Sequence, residues 1–214
     1  MSHGVHAVQH EVEHKIEHDD HGHHGPPKAQ KDRNKQVALL ISVMALFLAL
    51  SETMGKGAQT SALNFQIEAS NLWNFFQAKN IRRTNTLVAA ESAKIDAIAA
   101  TDEKHRAALA KQIADWEKTA ARYRSEPEAA NGLGEGTVEL SRRAIEEQHK
   151  RDTALAKYHH FEVSSAAFQI GIVLASATVI TGMVVLAYLA VGLGALGIAF
   201  MGIALFAPHA VHLF

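Results

Sequence analysis

Residues 10–14 read HEVEH, which matches the H-E-x-x-H pattern of zinc proteases. In that pattern two histidines one helical turn apart hold the metal, and the glutamate serves as general base. The surrounding residues argue against a protease. His3, His6, His10, His14, His18 and His21 step by three or four, so on a helix they form one stripe. Val5, Val8, Val12 and Ile16 form a second stripe on another face. Where histidine recurs every few places among glutamates, the motif arises from composition. A protease also needs a third ligand and a substrate cleft in a folded domain, and here an apolar run begins at Val37. Chelation without catalysis fits better. His6, His10, His14, His18, His21, His23 and His24 supply i,i+4 pairs and the HGHH cluster, a donor set suited to Zn or Ni. Residues 1–35 are therefore expected to form an amphipathic, His-rich N-terminal segment, in which metal or pH sensing is one reading.

Glu52 is the other residue with chemical promise. It lies within a turn of the end of an otherwise apolar run, four residues before Lys56. A Glu–Lys pair at the membrane interface is the simpler expectation, and an intramembrane ion or proton ligand is the sharper one. No phosphate loop, dinucleotide fingerprint, nucleophile elbow or paired-acid site accompanies it, so no enzyme activity is expected. The chain has no cysteine, which removes disulfides, thiolate metal sites and cysteine nucleophiles.

The elements that carry these residues follow from the segregation of charge. Overall the 214 residues are 48% hydrophobic and 20% charged, but from Val163 to Phe214 there is no Asp, Glu, Lys or Arg. That stretch is long enough for two membrane spans. The cluster Gly192, Gly194 and Gly197 predicts a tight link between them. Between Lys35 and Lys56 lies a first apolar run whose length matches a hydrocarbon core. Spans are thus expected at 36–56, 163–190 and 191–208. Lys28, Lys31, Arg33 and Lys35 favour a cytoplasmic N-terminus, whereas Lys150, Arg151 and Lys157 pull the other way.

Residues 57–162 are rich in Ala, Glu, Lys, Gln and Arg and read as helix. Their mixed, balanced charge gives no sign of a nucleic-acid surface. Heptad spacing suggests an outgoing seam of Ile81, Val88 and Ile95 and a returning seam of Leu109, Trp116 and Tyr123. A turn near residue 101, capped by Thr101 or Asp102, equalises the two arms once a Pro/Gly loop at 126–136 is looped out. The expected fold is all-α. Three transmembrane helices would carry a long extramembrane antiparallel helical hairpin, a coiled-coil-like stalk, between spans one and two.

Trp73, Phe75 and Phe76, with Leu72, point to nearly every side of one helix, which predicts a second covering surface. Gly171, Ala175 and Gly182 belong to a small-residue stripe along span two, of the kind that lets helices approach closely in lipid. Together these features predict a homo-oligomer contacting membrane lipid, with a structural or scaffolding role. A channel or transporter subunit is a third reading.

The stretches HEVEHKIEH, KQVALLISVMALFLAL, IEASNLWNFFQAKNIRRT, RYRSE and FQIGIVLASATVITG resemble a bacterial membrane family, the domain of unknown function 4337. The most specific part is Trp73, Phe76, Gln77, Ala78, Lys79 and Arg82. Histidine enrichment and PEAANGLGEG depart from the family pattern. The resemblance implies three spans and an extramembrane helical hairpin, and no activity.

Overall fold

The structure is a computed structural model that describes residues 28–211. Every regular element among them is helical. They are α1 (Lys28–Ala99), α2 (Glu103–Arg124), the short α3 (Ala129–Gly132), α4 (Thr137–Thr181) and α5 (Val184–Phe206). Residues 1–27 of the expected His-rich segment, including His6, His10, His14, His18, His21, His23 and His24, lie outside the described residues, and its remainder, 28–35, is the start of α1.

α1 runs 72 residues because its sequence holds no proline and only two glycines, Gly55 and Gly57. It ends at Ala99, and Asp102 starts the next helix: its carboxylate accepts the His105 N–H at 3.0 Å. Arg106 donates to the Ala100 carbonyl at 2.8 Å, satisfying an acceptor that the helix end would leave open. α3 is a turn rather than a regular helix, since Ala130 and Asn131 take positive φ. Three of the helices are long and apolar enough to cross a membrane: α1, α4 and α5.

The chain divides into two compact units. The first comprises residues 1–61 and 153–214. Its core is built from stripes at steps of three, four or seven: Val37, Ile41, Met44 and Leu48 on α1, and Phe161, Phe168, Ile172 and Ala175 on α4. On α5, Ala190, Gly194, Gly197, Met201 and Ala204 are buried. Phe168 is fully buried and stacks on Phe47 at 5.9 Å. Ser164 donates to the Gly197 carbonyl at 2.8 Å, and Ser51 to the Phe161 carbonyl at 3.0 Å. The outward faces carry exposed Leu39, Leu46, Ile170, Val173, Val185 and Leu189, as expected of surfaces that lipid would cover.

Two expectations are corrected in this unit. The link between α4 and α5 falls at Gly182–Met183, not at the later glycine cluster. Gly182 takes φ +72, the left-handed value that ends a helix, so it is a turn residue and not part of a packing stripe. Gly194 and Gly197 remain helical and buried, because their missing side chains admit neighbours. A Cβ on Gly197 would lie 2.8 Å from the Phe168 ring. Gly171 and Ala175 are likewise used within one chain: a Cβ on Gly171 would fall on the Met44 methyl and come within 3.3 Å of the Ala190 carbonyl. The stripe on α4 is thus filled by α1 and α5 of the same protomer.

The second unit comprises residues 62–152. Leu72 packs with Leu140 and Ala144 of α4, and Trp73 and Phe76 lie against the same cluster. The aromatic residues near Trp73 therefore find cover inside the chain. Phe75 stays partly exposed beneath the Lys79 ammonium, 5.4 Å from its ring centre. Along this part of α1 the buried positions are Ala62, Ala69, Leu72, Lys79, Ala90 and Ala93, and from Lys79 onward they lie on the side of the half-buried Leu109, Trp116 and Tyr123 and the buried Ala120 of α2. Contacts join Lys94 to Glu117 and Lys79 to Tyr123. The expected outgoing seam is corrected here. Ile81, Val88 and Ile95 are 60%, 63% and 69% exposed. Small alanines let the bulky Trp116 and Tyr123 sit close, and this leaves the isoleucine face outward.

The ends of α2 and α4 meet directly across the loop. Glu139 accepts from the Ser125 hydroxyl at 2.5 Å and from the Glu126 N–H at 3.3 Å. Thr137 donates to the Arg124 carbonyl at 3.3 Å. Gly136 is required by this closeness, since a Cβ there would stand 2.5 Å from the Ser125 Cα.

Candidate functional site

A polar concavity in the first unit lies between α1 and α4, with a volume of about 470 Å³. Its size falls in the range of small-molecule sites. Glu52, Lys56 and Gln59 approach from α1, and Tyr158, Glu162, Ser165 and Gln169 from α4. The expected partner of Glu52 was Lys56. The hydrogen bond in the structure comes instead from the Gln169 amide, at 3.2 Å. Gln169 is the only side-chain amide in the charge-free stretch, a visible signal that sequence reasoning passed over. Glu162 accepts from Tyr158 at 3.5 Å and lies 3.7 Å from His159 Nδ1. Ser51 is fully buried at the groove wall and is held by the Phe161 carbonyl. A Cβ on Gly55 would reach within 3.2 Å of the Phe161 Cβ, so glycine there lets the two helices close beneath the groove.

On the opposite side of α4, His160 is buried and stacked 6.0 Å from Phe200. Its Nε2 lies 3.0 Å from the Pro208 carbonyl, which can only accept, so the proton resides on Nε2. This bond ties the end of α5 to α4.

In the second unit the chemically distinctive residue is Lys79, nearly buried, with Glu135 at 3.4 Å and Glu126 at 3.7 Å. Its ammonium also faces the Phe75 and Tyr123 rings. One cation thus gathers the loop at 126–136 onto α1. Lys94 sits between two carboxylates, and hydrogen bonds from its ammonium to Glu117 and Glu91 raise its pKa above the ordinary lysine range. Burial would push Glu139 up, but hydrogen bonds from Ser125 and from nearby backbone N–H groups outweigh it and hold the carboxyl below its ordinary value.

Among the described residues no group of three or more His, Cys, Asp or Glu is placed to hold a metal ion. The expected stalk residues divide by face: Leu109, Trp116 and Tyr123 lie half-buried toward α1, whereas Ile81, Val88 and Ile95 form an outward row. Ile67, 59% exposed, extends that row by two heptads.

The family described as Domain of unknown function (DUF4337) matches residues 33–207. The chain belongs to this family. The match covers every described helix that is long and apolar enough to cross a membrane. No curated protein and no solved structure matches the chain.

Proposed function

We propose that this member of the family is a membrane-anchored scaffold without catalytic activity, which self-assembles by parallel pairing of α1 between copies. The observation that carries the reading is the exposed row Ile67, Ile81, Val88 and Ile95. Its members repeat at multiples of seven, with exposed Asn74 filling the missing place. An isolated water-facing helix has no reason to keep β-branched apolar residues in heptad register. In a parallel two-stranded coil, β-branched residues at this position and a single Asn among them favour two strands and a fixed register. The flanking Ser70, Asn71, Gln77, Ala78, Thr84, Asn85 and Ser92 are uncharged, and the one flanking charge, Glu91, is paired with Lys94 of its own helix, which limits repulsion between two identical rows. Copies inserted in one membrane share an orientation, which presents identical rows to each other in parallel.

In this reading α1 beyond Ser61, α2 and the first part of α4 form an extramembrane antiparallel hairpin stalk. The spans sit in a bacterial inner membrane with the N-terminus cytoplasmic. Mass measurement in mild detergent tests the pairing: the particle should weigh a multiple of the 23.2 kDa chain. A single-chain mass at every protein concentration would contradict it.

A further inference from the structure

We propose that the groove between α1 and α4 binds the headgroup of an amine-bearing phospholipid, of the phosphoethanolamine class. Position comes first. Glu52 closes the uncharged run of α1, and Glu162 is the last charge before the uncharged stretch of α4. The groove therefore straddles the polar–apolar border of two candidate spans, where lipid headgroups lie.

Charge comes second. The groove holds two carboxylates, Glu52 and Glu162, and one ammonium, Lys56. Lys56 stands four residues after Glu52, yet among the described residues it forms no ion pair with either carboxylate. Anionic and cationic groups kept apart in one cavity complement a zwitterion. The carboxylates accept from its ammonium, and Lys56 donates to its phosphate.

Ser165 supplies an independent pointer. The residue is about nine-tenths buried and lines the groove, and its hydroxyl has no hydrogen-bond partner among the described residues. The hydroxyl is reached from the groove, so it can donate to an ester or phosphate oxygen that enters there. The Gln169 amide, already donating to Glu52, holds that carboxylate in place.

The same features select among lipids. A quaternary choline cannot donate hydrogen bonds and is recognised by aromatic cages, whereas this groove offers carboxylates. A purely anionic headgroup would meet two carboxylates against one lysine. The inference does not depend on self-assembly, so either can fail alone.

Native mass spectrometry of the full chain tests it, using phosphatidylethanolamine, phosphatidylcholine and phosphatidylglycerol with identical acyl chains. The wild type should retain phosphatidylethanolamine at least about fivefold over the other two, a difference on the order of 1 kcal/mol in affinity. The pair Glu52→Gln and Glu162→Gln should reduce that retention to the phosphatidylcholine level. Ile81→Ser, remote in sequence from the groove residues, should leave it unchanged. Should the double variant lose helicity, the wild-type preference and the exposed Lys56→Gln variant decide the matter. Equal retention of the three lipids by the wild type overturns the proposal, as does a preference unchanged in the carboxamide variants.

Discussion

Replacing Ile81 by serine should dissociate the protein while leaving each chain folded. Fully burying an isoleucine side chain contributes about 1.5–3 kcal/mol. Ile81 is 60% exposed in the single chain, so about 0.9–1.8 kcal/mol remains to be gained per copy on pairing. Two copies lose about 1.8–3.6 kcal/mol, which weakens association roughly 20- to 400-fold. The cost to the isolated chain should stay at about 0.6–1.2 kcal/mol, the share of the same burial that the single chain already realises. Ile and Ser also have similar helix propensities. Light scattering or mass photometry across a dilution series measures the first effect, and thermal unfolding followed by circular dichroism measures the second. An association midpoint unchanged within about twofold would refute the reasoning. A large fall in melting temperature would show that the row packs within the chain instead.

Two further outcomes probe the interior of each unit. The depressed pKa of Glu139 means that its contribution is fully present above the unfolded-state value of about 4.5 and is lost as pH falls through the lower folded-state value. Acidification below about 4.5 should therefore lower the melting temperature of the wild type more than that of Glu139→Gln; parallel declines would contradict this. In the spans, Gly197→Ala should cost about 1–3 kcal/mol, because its Cβ meets the fully buried Phe168 ring. Gly171→Ala should cost less, because the Met44 methyl it displaces ends a flexible side chain. Unfolding in mixed micelles would reveal the opposite order if the packing is different.

The membrane-scale architecture could be read in the sequence because charge absence is a strong signal. Val163–Phe214 contains no ionisable residue except histidine and tyrosine, and α4 and α5 occupy that stretch. The break between them was harder to read. In an apolar helix a glycine either ends the helix or admits a neighbour, and only backbone conformation separates Gly182 from Gly194 and Gly197. The face of α1 beyond Ser61 posed a similar problem. Two heptad rows compete there, and hydropathy favours the isoleucines, while the fold buries alanines that accommodate Trp116 and Tyr123. The cover for Trp73 and Phe76 comes from Leu140 and Ala144, a contact spanning more than sixty residues that no local pattern encodes. Of the groove, Glu52 stood out as a lone charge, but Gln169 and Ser165 became meaningful only when α4 was laid beside it.

Cysteine crosslinking in native membranes tests the parallel pairing of α1 most directly, since the chain has no cysteine of its own. Single substitutions Ile81→Cys and Val88→Cys should form disulfide-linked pairs of chains rapidly on mild oxidation. Thr86→Cys and Ala90→Cys, which face the interior of the chain, should not. Crosslinking that is absent at 81 and 88, or stronger at 86 and 90, would contradict the account.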